Sequence, residues 1–426
     1  MPERPFRVAI IGAGPAGTTL AALLARKGVS VAIFDDGKRP DLIVGESLIP
    51  LMVTIFQRLG LEERVRSFGV RKPGVTFTIN DALEFPLSFS SVAGLLPEYA
   101  YNVPRREFDA LLLEAAREAG ARYVPEAAVL EKGDASAEVR LGRASLAHVP
   151  EWGGATPDLL VDASGRRRLF GKLLGIETET GPRKDVAHFA HFTGCEMPQP
   201  EGQVIIGRLR HGWSWRIPLN EGRLSIGVVM NKEHAREYGT NAEEVLDAVI
   251  RRDTRLARAC ADRVRVSPLA TYTNYQLISR RGCGPGWVMA GDAFGFADPM
   301  LSPGLAMAML SAEKIADLVP PAAPPDMAPL QRGLEEYAAW FGNFLTAWQE
   351  LIDLFYDGRM FALYQTGSQW SARFPGRASA WIERHMSRHI AGMCSGACTT
   401  RAYSRNLVRF ATRHGLRVNP DDFKIS

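Results

Sequence analysis

Near the start of the chain, Gly12-Ala13-Gly14-Pro15-Ala16-Gly17 has the residue types and spacing to hold a dinucleotide by its phosphates. Gly12 permits a tight turn, Gly14 lets the backbone approach a pyrophosphate, and Gly17 lets a helix pack closely on a strand. Asp35, 21 residues after Gly14, is placed to accept hydrogen bonds from a ribose. Further chemistry could come from Asp292, which ends the apolar run Val288-Met289-Ala290-Gly291, from Lys72, and from Trp213 and Trp215. The last three also have plain readings. A single lysine is ordinarily a solvated cation, and two tryptophans at strand period ordinarily form a core face.

The elements that must position these residues are legible around them. Val8–Ile11 is a short apolar run suited to a strand buried on both faces, Thr18–Lys27 reads as a helix stopped by Gly28, and Val31–Phe34 is a second strand ending at Asp35 and Asp36. The helix N-terminus offers free N–H groups and a positive dipole to phosphates. Strand, glycine turn, helix, strand and acid in register predict dinucleotide binding. Gly282-Cys283-Gly284-Pro285-Gly286 precedes a strand and reads as a turn, so the chain carries one such fingerprint.

The chain has 426 residues, 46% hydrophobic and 23% charged, enough for two or three packed subdomains. No apolar run approaches the ~18 residues of a membrane span. MPERPFR leads directly into VAIIGAGPAG, which reads as strand and turn and not as a signal peptide. Five scattered cysteines (Cys195, Cys260, Cys283, Cys394 and Cys398) suit reduced thiols in a cytoplasmic protein. A net charge of +4 is too mild to imply nucleic acid.

Between the nucleotide segments, residues 73–104 and 185–270 alternate apolar and polar, with strands expected at Val204–Arg208, Gly212–Pro218 and Arg223–Met230. His188 and His191 are expected on one strand, facing the same way, as structural residues. From Leu330 the chain turns helical, with Tyr337, Trp340, Phe341, Phe344, Trp348, Leu351 and Phe355 at core spacing. A last helix is expected from Thr399 or Thr400, as N-cap, to His414, with Gly415 as stop. From Arg373 onward there are ten Lys or Arg residues against Glu383, Asp421 and Asp422. Arg401, Arg405, Arg409 and Arg413 form one stripe, either a solvated face or a dock for an acidic partner such as an acyl carrier protein. Cys394 and Cys398 near His389 lack a fourth ligand, so no metal is expected.

Four segments, in order, resemble the FAD-dependent aromatic-hydroxylase-like flavoproteins. They are the glycine turn, Arg105 within Val103-Pro104-Arg105-Arg106-Glu107-Phe108-Asp109, Leu160-Val161-Asp162-Ala163-Ser164-Gly165, and Val288-Met289-Ala290-Gly291-Asp292-Ala293. The resemblance implies FAD, with Asp292 on its ribityl chain and Gly12, Gly14, Ala16, Gly17, Asp35 and Arg105 among its contacts. With no second, nicotinamide-type domain, the chain would receive reduced flavin from a separate reductase or touch NAD(P)H only transiently.

Three further segments resemble the flavin-dependent halogenases of phenol and pyrrole type: Gly45-Glu46-Ser47-Leu48-Ile49-Pro50, Trp213-Ser214-Trp215-Arg216-Ile217-Pro218, and Lys72 before Gly74-Val75-Thr76-Phe77. In that family reduced FAD and O2 convert chloride or bromide to hypohalous acid, which travels through a tunnel to the lysine beside the substrate. The resemblance makes Lys72 the delivering residue, Trp213 and Trp215 the wall that keeps substrate off the flavin, and Glu46 and Ser47 flavin-side contacts. A desolvated lysine suits both tasks asked of it, hydrogen bonding as an ammonium and haloamine formation as an amine.

There are departures. Asp298-Pro299-Met300-Leu301-Ser302-Pro303-Gly304 matches the family's DPxxSxG frame, whose last two residues offer N–H groups to halide. Here they are Pro303 and Gly304, and proline has no N–H. Leu301 stands where tryptophan halogenases carry a Glu, so an electron-rich phenol or pyrrole is expected and free tryptophan is not. Asp41, with Arg39 nearby, replaces the family's arginine before Gly45. The chemistry expected is therefore halogenation of a phenolic or pyrrolic ring, free or carried by an acyl carrier protein. An FAD-dependent aromatic hydroxylase is the alternative, then a flavin dehydrogenase or reductase.

The fold class expected is α/β. A split Rossmann-type FAD-binding domain would comprise 1–70, 101–180 and 271–328. An inserted antiparallel β substrate domain would comprise 71–100 and 181–270, followed by a helical C-terminal region, 329–426. A monomer or homodimer without a membrane span is expected.

Overall fold

The computed structural model of the chain describes residues 4–81, 83–134, 137–273 and 276–426. Parts of the expected segments, namely residues 1–3, 82, 135–136 and 274–275, lie outside the described residues. Strand β1 (Arg7–Ile11) sits inside a six-stranded sheet with four of its five residues buried, as a strand covered on both faces requires. It pairs in parallel with β2 (Ser30–Phe34) on one side and β3 (Leu159–Asp162) on the other. Arg122–Val124 and Trp287–Met289 extend the parallel pairing, and Cys283–Gly284 folds back on the latter as a hairpin. Strands drawn from both ends of a long stretch of chain thus lie side by side in a split Rossmann-type sheet.

Helix α1 (Pro15–Arg26) begins three residues before the expected Thr18, because proline's fixed φ and missing N–H suit a first helical position. The second sheet has eight strands. It includes Gly74–Thr78, Glu84–Ser88, β4 (Asp185–Thr193), Val204–Leu209, β5 (Gly212–Pro218) and β6 (Leu224–Asn231). Its pairings are antiparallel save one: Val204–Gly207 runs parallel to Val75–Thr78. Parallel neighbours need a long crossover, and the chain between these two strands, which includes two strands of the first sheet, supplies it.

Helix α2 (Pro303–Leu318) packs beside α1. Helix α3 (Ala328–Tyr356) buries Tyr337, Phe341, Phe344, Trp348, Leu351 and Phe355, with Trp340 half-buried. Then come α4 (Arg359–Arg373), α5 (Arg377–Cys394) and α6 (Ala402–His414). Helix α6 starts after Arg401 and lacks the expected threonine cap. The Thr399 hydroxyl instead donates to Met393 O at 2.6 Å, back toward the preceding helix. Two members of the arginine stripe, Arg405 and Arg409, share Glu350 of α3. Among the described residues no helix is long and apolar enough to cross a membrane.

Candidate functional site

The glycine turn is built as its spacing demands. Gly12 has φ +110°, and a Cβ there would lie 2.4 Å from Ala163 O. One at Gly17 would lie 2.0 Å from Gly12 O, whereas one at Gly14 would meet nothing within 4 Å. Two glycines therefore close the turn, and the third leaves open space beside it. Asp35 braces the same turn: its Oδ2 accepts the Ala13 N–H at 2.7 Å and its Oδ1 the Gly37 N–H at 2.9 Å. Arg105 makes a bidentate pair with Asp109, at 3.0 and 3.1 Å, and donates to Val44 O in the segment before Gly45. Arg39 donates to Ala13 O and reaches Asp109 at 3.4 Å, so it ties the turn to the Arg105 pair.

One cavity of about 1460 Å³, open mouth included, is lined by Gly14, Pro15, Ala16, Glu46, Ser47, Arg105, Asp292 and Gly304. It is lined equally by Lys72, Phe89, Trp213 and Trp215. Asp292 makes no hydrogen bond among the described residues. Burial pushes its carboxyl up to about 6, with Arg166 and Arg105 pulling it back. An unpartnered acceptor on the wall, an open face at Gly14 and a helix N-terminus beneath them fit FAD, with its row of ribityl hydroxyls and its pyrophosphate.

Lys72 is buried, 1% exposed, contrary to the habit of lysine. Its strand, Val70–Lys72, pairs with Ala100–Asn102, and Asn102 bridges back to Ser47, so backbone pairing brings the Gly45-Glu46-Ser47 segment beside it. The Lys72 Nζ donates to Ser47 Oγ at 2.7 Å and Leu48 O at 2.8 Å, and stands 5.2 Å from the centre of the Phe89 ring. Desolvation lowers its pKa to about 7. Ammonium and amine are then both accessible near neutrality. With two N–H groups committed, the ammonium keeps one donor free and the amine keeps its lone pair.

Trp213 and Trp215 lie two apart on β5, both buried, with ring centres 5.8 Å apart. Trp215 donates to Ser225 Oγ at 3.1 Å. Its ring lies over Gly227 on β6, where a Cβ would fall 2.3 Å from the indole, so glycine is required there to seat it. The Trp213 N–H donates to Tyr356 Oη at 3.1 Å, and Tyr356 donates to Asp298 at 3.0 Å. Asp298 also accepts from Gln276 at 3.2 Å and from the Met300 N–H at 2.9 Å. Asp298 opens the loop that ends in Pro303 and Gly304, so the tryptophan wall and this loop share one buried network. Tyr356 is the last residue of α3, and sequence periodicity marks it only as core.

His188 and His191 do not face the same way, as three-residue spacing on a period-two strand forbids it. His188 pairs with Thr271 at 2.9 Å, while His191 Nε2 meets the Glu46 carboxylate at 2.6 Å, both groups buried. His191 thus fixes Glu46, a link that sequence reasoning missed. Asp162 is likewise spent on structure: its oxygens accept from Ser164 and from the Phe170 N–H. Away from the cavity, His211, His234 and Glu237 gather at the surface. The two imidazoles stack with ring centres 3.6 Å apart, and His234 Nδ1 lies 2.7 Å from a Glu237 oxygen.

Pro303 is the first residue of α2, and Leu301 and Ser302 before it are both left-handed, with φ of 67° and 59°. The proline's missing N–H costs the helix nothing, because that group has no intrahelical acceptor in any residue. Gly304 lines the cavity with its N–H in the first turn, where the helix dipole is positive.

A family model described as an FAD binding domain matches residues 6–317. A tryptophan 2-halogenase of Chondromyces crocatus is 29% identical over 365 residues, 82% of this chain and 68% of that protein. A 1H-pyrrole-2-carbonyl-[peptidyl-carrier protein] chlorinase of Pseudomonas fluorescens is 26% identical over 388 residues, 84% of each chain. Among solved structures, a flavin-dependent brominase superposes with a TM-score of 0.74 at 22% identity, covering 96% of this chain and 99% of that one, a likeness of fold.

Proposed function

The chain belongs to the FAD-binding domain family of flavoproteins and is a flavin-dependent halogenase by its relatives; from that premise we propose that it halogenates an electron-rich phenolic or pyrrolic ring, free or carrier-bound. The observation that carries this reading is the sharing of one cavity by a buried Lys72, the Trp213–Trp215 pair, the glycine turn and Asp292. A hydroxylase brings its substrate to the flavin and has no use for a buried lysine behind a wall of two indoles.

FAD, reduced by a separate reductase, supplies with O2 the oxidising equivalent that converts halide to hypohalous acid. The chain's own residues do the rest. Gly14, Ala16 and Arg105 would border the dinucleotide, and Asp292 would accept a hydrogen bond from a ribityl hydroxyl. The Gly304 N–H and the α2 dipole attract halide. Trp213 and Trp215, held by Tyr356 and Ser225, keep the substrate ring away. At Lys72 the free donor of the ammonium binds hypohalous acid by hydrogen bond, or the amine nitrogen takes the halogen from its oxygen and water leaves with an amine proton. Phe77, Leu87, Phe89, Val204 and Ile206 give the aromatic substrate apolar walls. Oriented delivery then replaces free diffusion of the oxidant.

Mass spectrometry of turnover with a flavin reductase, NADH, O2 and phenol or pyrrole substrates tests this, with chloride and bromide run separately. A halogen isotope pattern that disappears in Lys72→Ala is expected. A specific observation favours the hydroxylase alternative: Pro303 removes one halide donor. An oxygenated product indifferent to halide would decide for that reading.

A further inference from the structure

The C-terminal helices present a face that none of the described residues covers. Of residues 377–388, the first twelve of α5, only Ser379 is buried. Trp381 is 60% exposed and Ile382 48%, beside Trp370 and Phe374 at the end of α4 and Tyr403 at the start of α6. This is not loose chain. Trp381 stacks on His385 with ring centres 5.1 Å apart, and His385 Nε2 lies 2.9 Å from Tyr403 Oη. Around this aromatic strip stand Arg377, Arg384, Arg388 and Arg401, none of them in an ion pair among the described residues, with Glu383 the one acid on α5. The arginine stripe foreseen on α6 is partly spent, since Arg405 and Arg409 share Glu350. The unneutralised charge therefore centres on α5.

The same helix leads to the site. Its last residue, Cys394, lines the cavity that holds Lys72, and α5 packs against the Phe89–Val92 turn, whose Phe89 ring faces the Lys72 amine. From Trp381 to Cys394 is 13 residues, about 20 Å of helix at 1.5 Å per residue. An exposed apolar strip ringed by arginines asks for an acidic partner with apolar contacts of its own. A second copy of this chain is a poor occupant, because a two-fold contact would set these arginines against themselves.

We propose that the Trp381–Tyr403 strip and Arg377, Arg384, Arg388 and Arg401 dock an acidic carrier protein, whose phosphopantetheine arm carries a tethered aromatic acyl group to the cavity of Lys72. This rests on the halogenase reading and specifies how a carrier-bound substrate reaches that site. The arginines meet the carrier's carboxylates and the arm's phosphate, and the indole and phenol rings bury its apolar residues.

The test uses the full-length, FAD-loaded enzyme with a flavin reductase. Its probes are a peptidyl carrier protein loaded with pyrrole-2-carbonyl thioester and the same acyl group on N-acetylcysteamine. Wild type should show a lower KM for the carrier-bound probe, rising with salt. Arg384→Glu with Arg388→Glu, or Trp381→Ala, should raise that KM by ~10-fold or more and leave turnover of the small thioester within about twofold. These side chains are exposed, so the variants keep the fold. Equal KM values for both probes in wild type, or variants without effect, overturn the docking face while the halogenated small thioester keeps the halogenase reading. If neither probe is halogenated, anisotropy of labelled loaded carrier against the FAD-loaded enzyme still reads docking, and its absence overturns the proposal. Trp381-dependent binding to phosphatidylglycerol vesicles without carrier affinity assigns the face to a lipid surface, and Trp381-dependent dimerisation assigns it to a second copy. Either overturns it.

Discussion

Trp213 and Tyr356 are joined by a hydrogen bond, indole N–H to phenol oxygen at 3.1 Å, although 143 residues separate them. Tyr356 passes the link to Asp298 at 3.0 Å, and the Arg183 guanidinium lies 3.7 Å over its ring. The chain thereby fixes the tryptophan wall and the loop leading to Gly304 through one phenol, raised well above its ordinary pKa by burial beside Asp298. A neutral Tyr356 acts as acceptor and donor at once, which no other neutral side chain of that length provides here.

Tyr356→Phe keeps the ring and removes both bonds. Trp213 and one lone pair of Asp298 then lose a buried partner, at a cost of about 1–3 kcal/mol, read as a lower midpoint in thermal unfolding. A loosened wall should also show in coupling. Hydrogen peroxide released per NADH consumed should rise several-fold, with less halogenated product. Unchanged coupling at reduced stability would make Tyr356 a packing residue only.

Lys72 makes stability depend on pH in a defined direction. Its folded value of about 7 lies below the ordinary 10.5, so above pH 7 the unfolded chain binds the extra proton. Stability must rise with pH across that window and be flat below it. The full rise is on the order of a few kcal/mol. Lys72→Met lacks the buried charge. Denaturant unfolding should therefore show the mutant's advantage largest below pH 7 and shrinking toward pH 10. A constant difference across that range would mean that Lys72 is neutral or charged in both states throughout.

Much of this was readable in advance because local chemistry dictated it. The glycine turn needs Gly12 and Gly17 for close approaches that any Cβ would block, and these constraints act within a few residues. The period-two pair Trp213 and Trp215 declares its own face. Tyr356 could not be read, since its role exists only where α3 ends against β5, and nothing in helical periodicity separates it from Phe355. Gly227 carries no turn signal and is explained only by the Trp215 ring across the sheet. His188 and His191 face opposite ways, contrary to the expectation of a shared face, because a three-residue step on a period-two strand changes sides. The α6 N-cap is Arg401 and not a threonine, because the Thr399 hydroxyl turns back to Met393 O.

Asp292 offers a pH handle on the cofactor. Its carboxyl sits near 6 in the described chain, and the ionised form is the better acceptor for a ribityl hydroxyl. FAD affinity, followed by flavin fluorescence, should weaken as pH falls through the region of 6. Asp292→Asn should weaken binding about tenfold or more, given the ~1.5–3 kcal/mol of a charged hydrogen bond, and abolish the pH dependence. A pH-dependent affinity that survives in Asp292→Asn would place the titrating group elsewhere.

Pro303 is where the chain departs furthest from the loop it otherwise matches, and the structure shows why the departure is tolerated. At the first position of α2 an N–H would have no intrahelical acceptor, so the helix is indifferent to its loss while a bound anion is not. Pro303→Ala returns that donor beside Gly304 at little cost to the fold, since alanine is a good helix former. One added N–H to a partly desolvated halide is worth about 1 kcal/mol, so the KM for bromide and for chloride should each fall about fivefold. The ratio of halogenated to oxygenated product should rise with it. If Pro303→Ala leaves the halide KM unchanged, halide does not rest against this turn, and the Gly304 N–H must be dropped from the mechanism along with it.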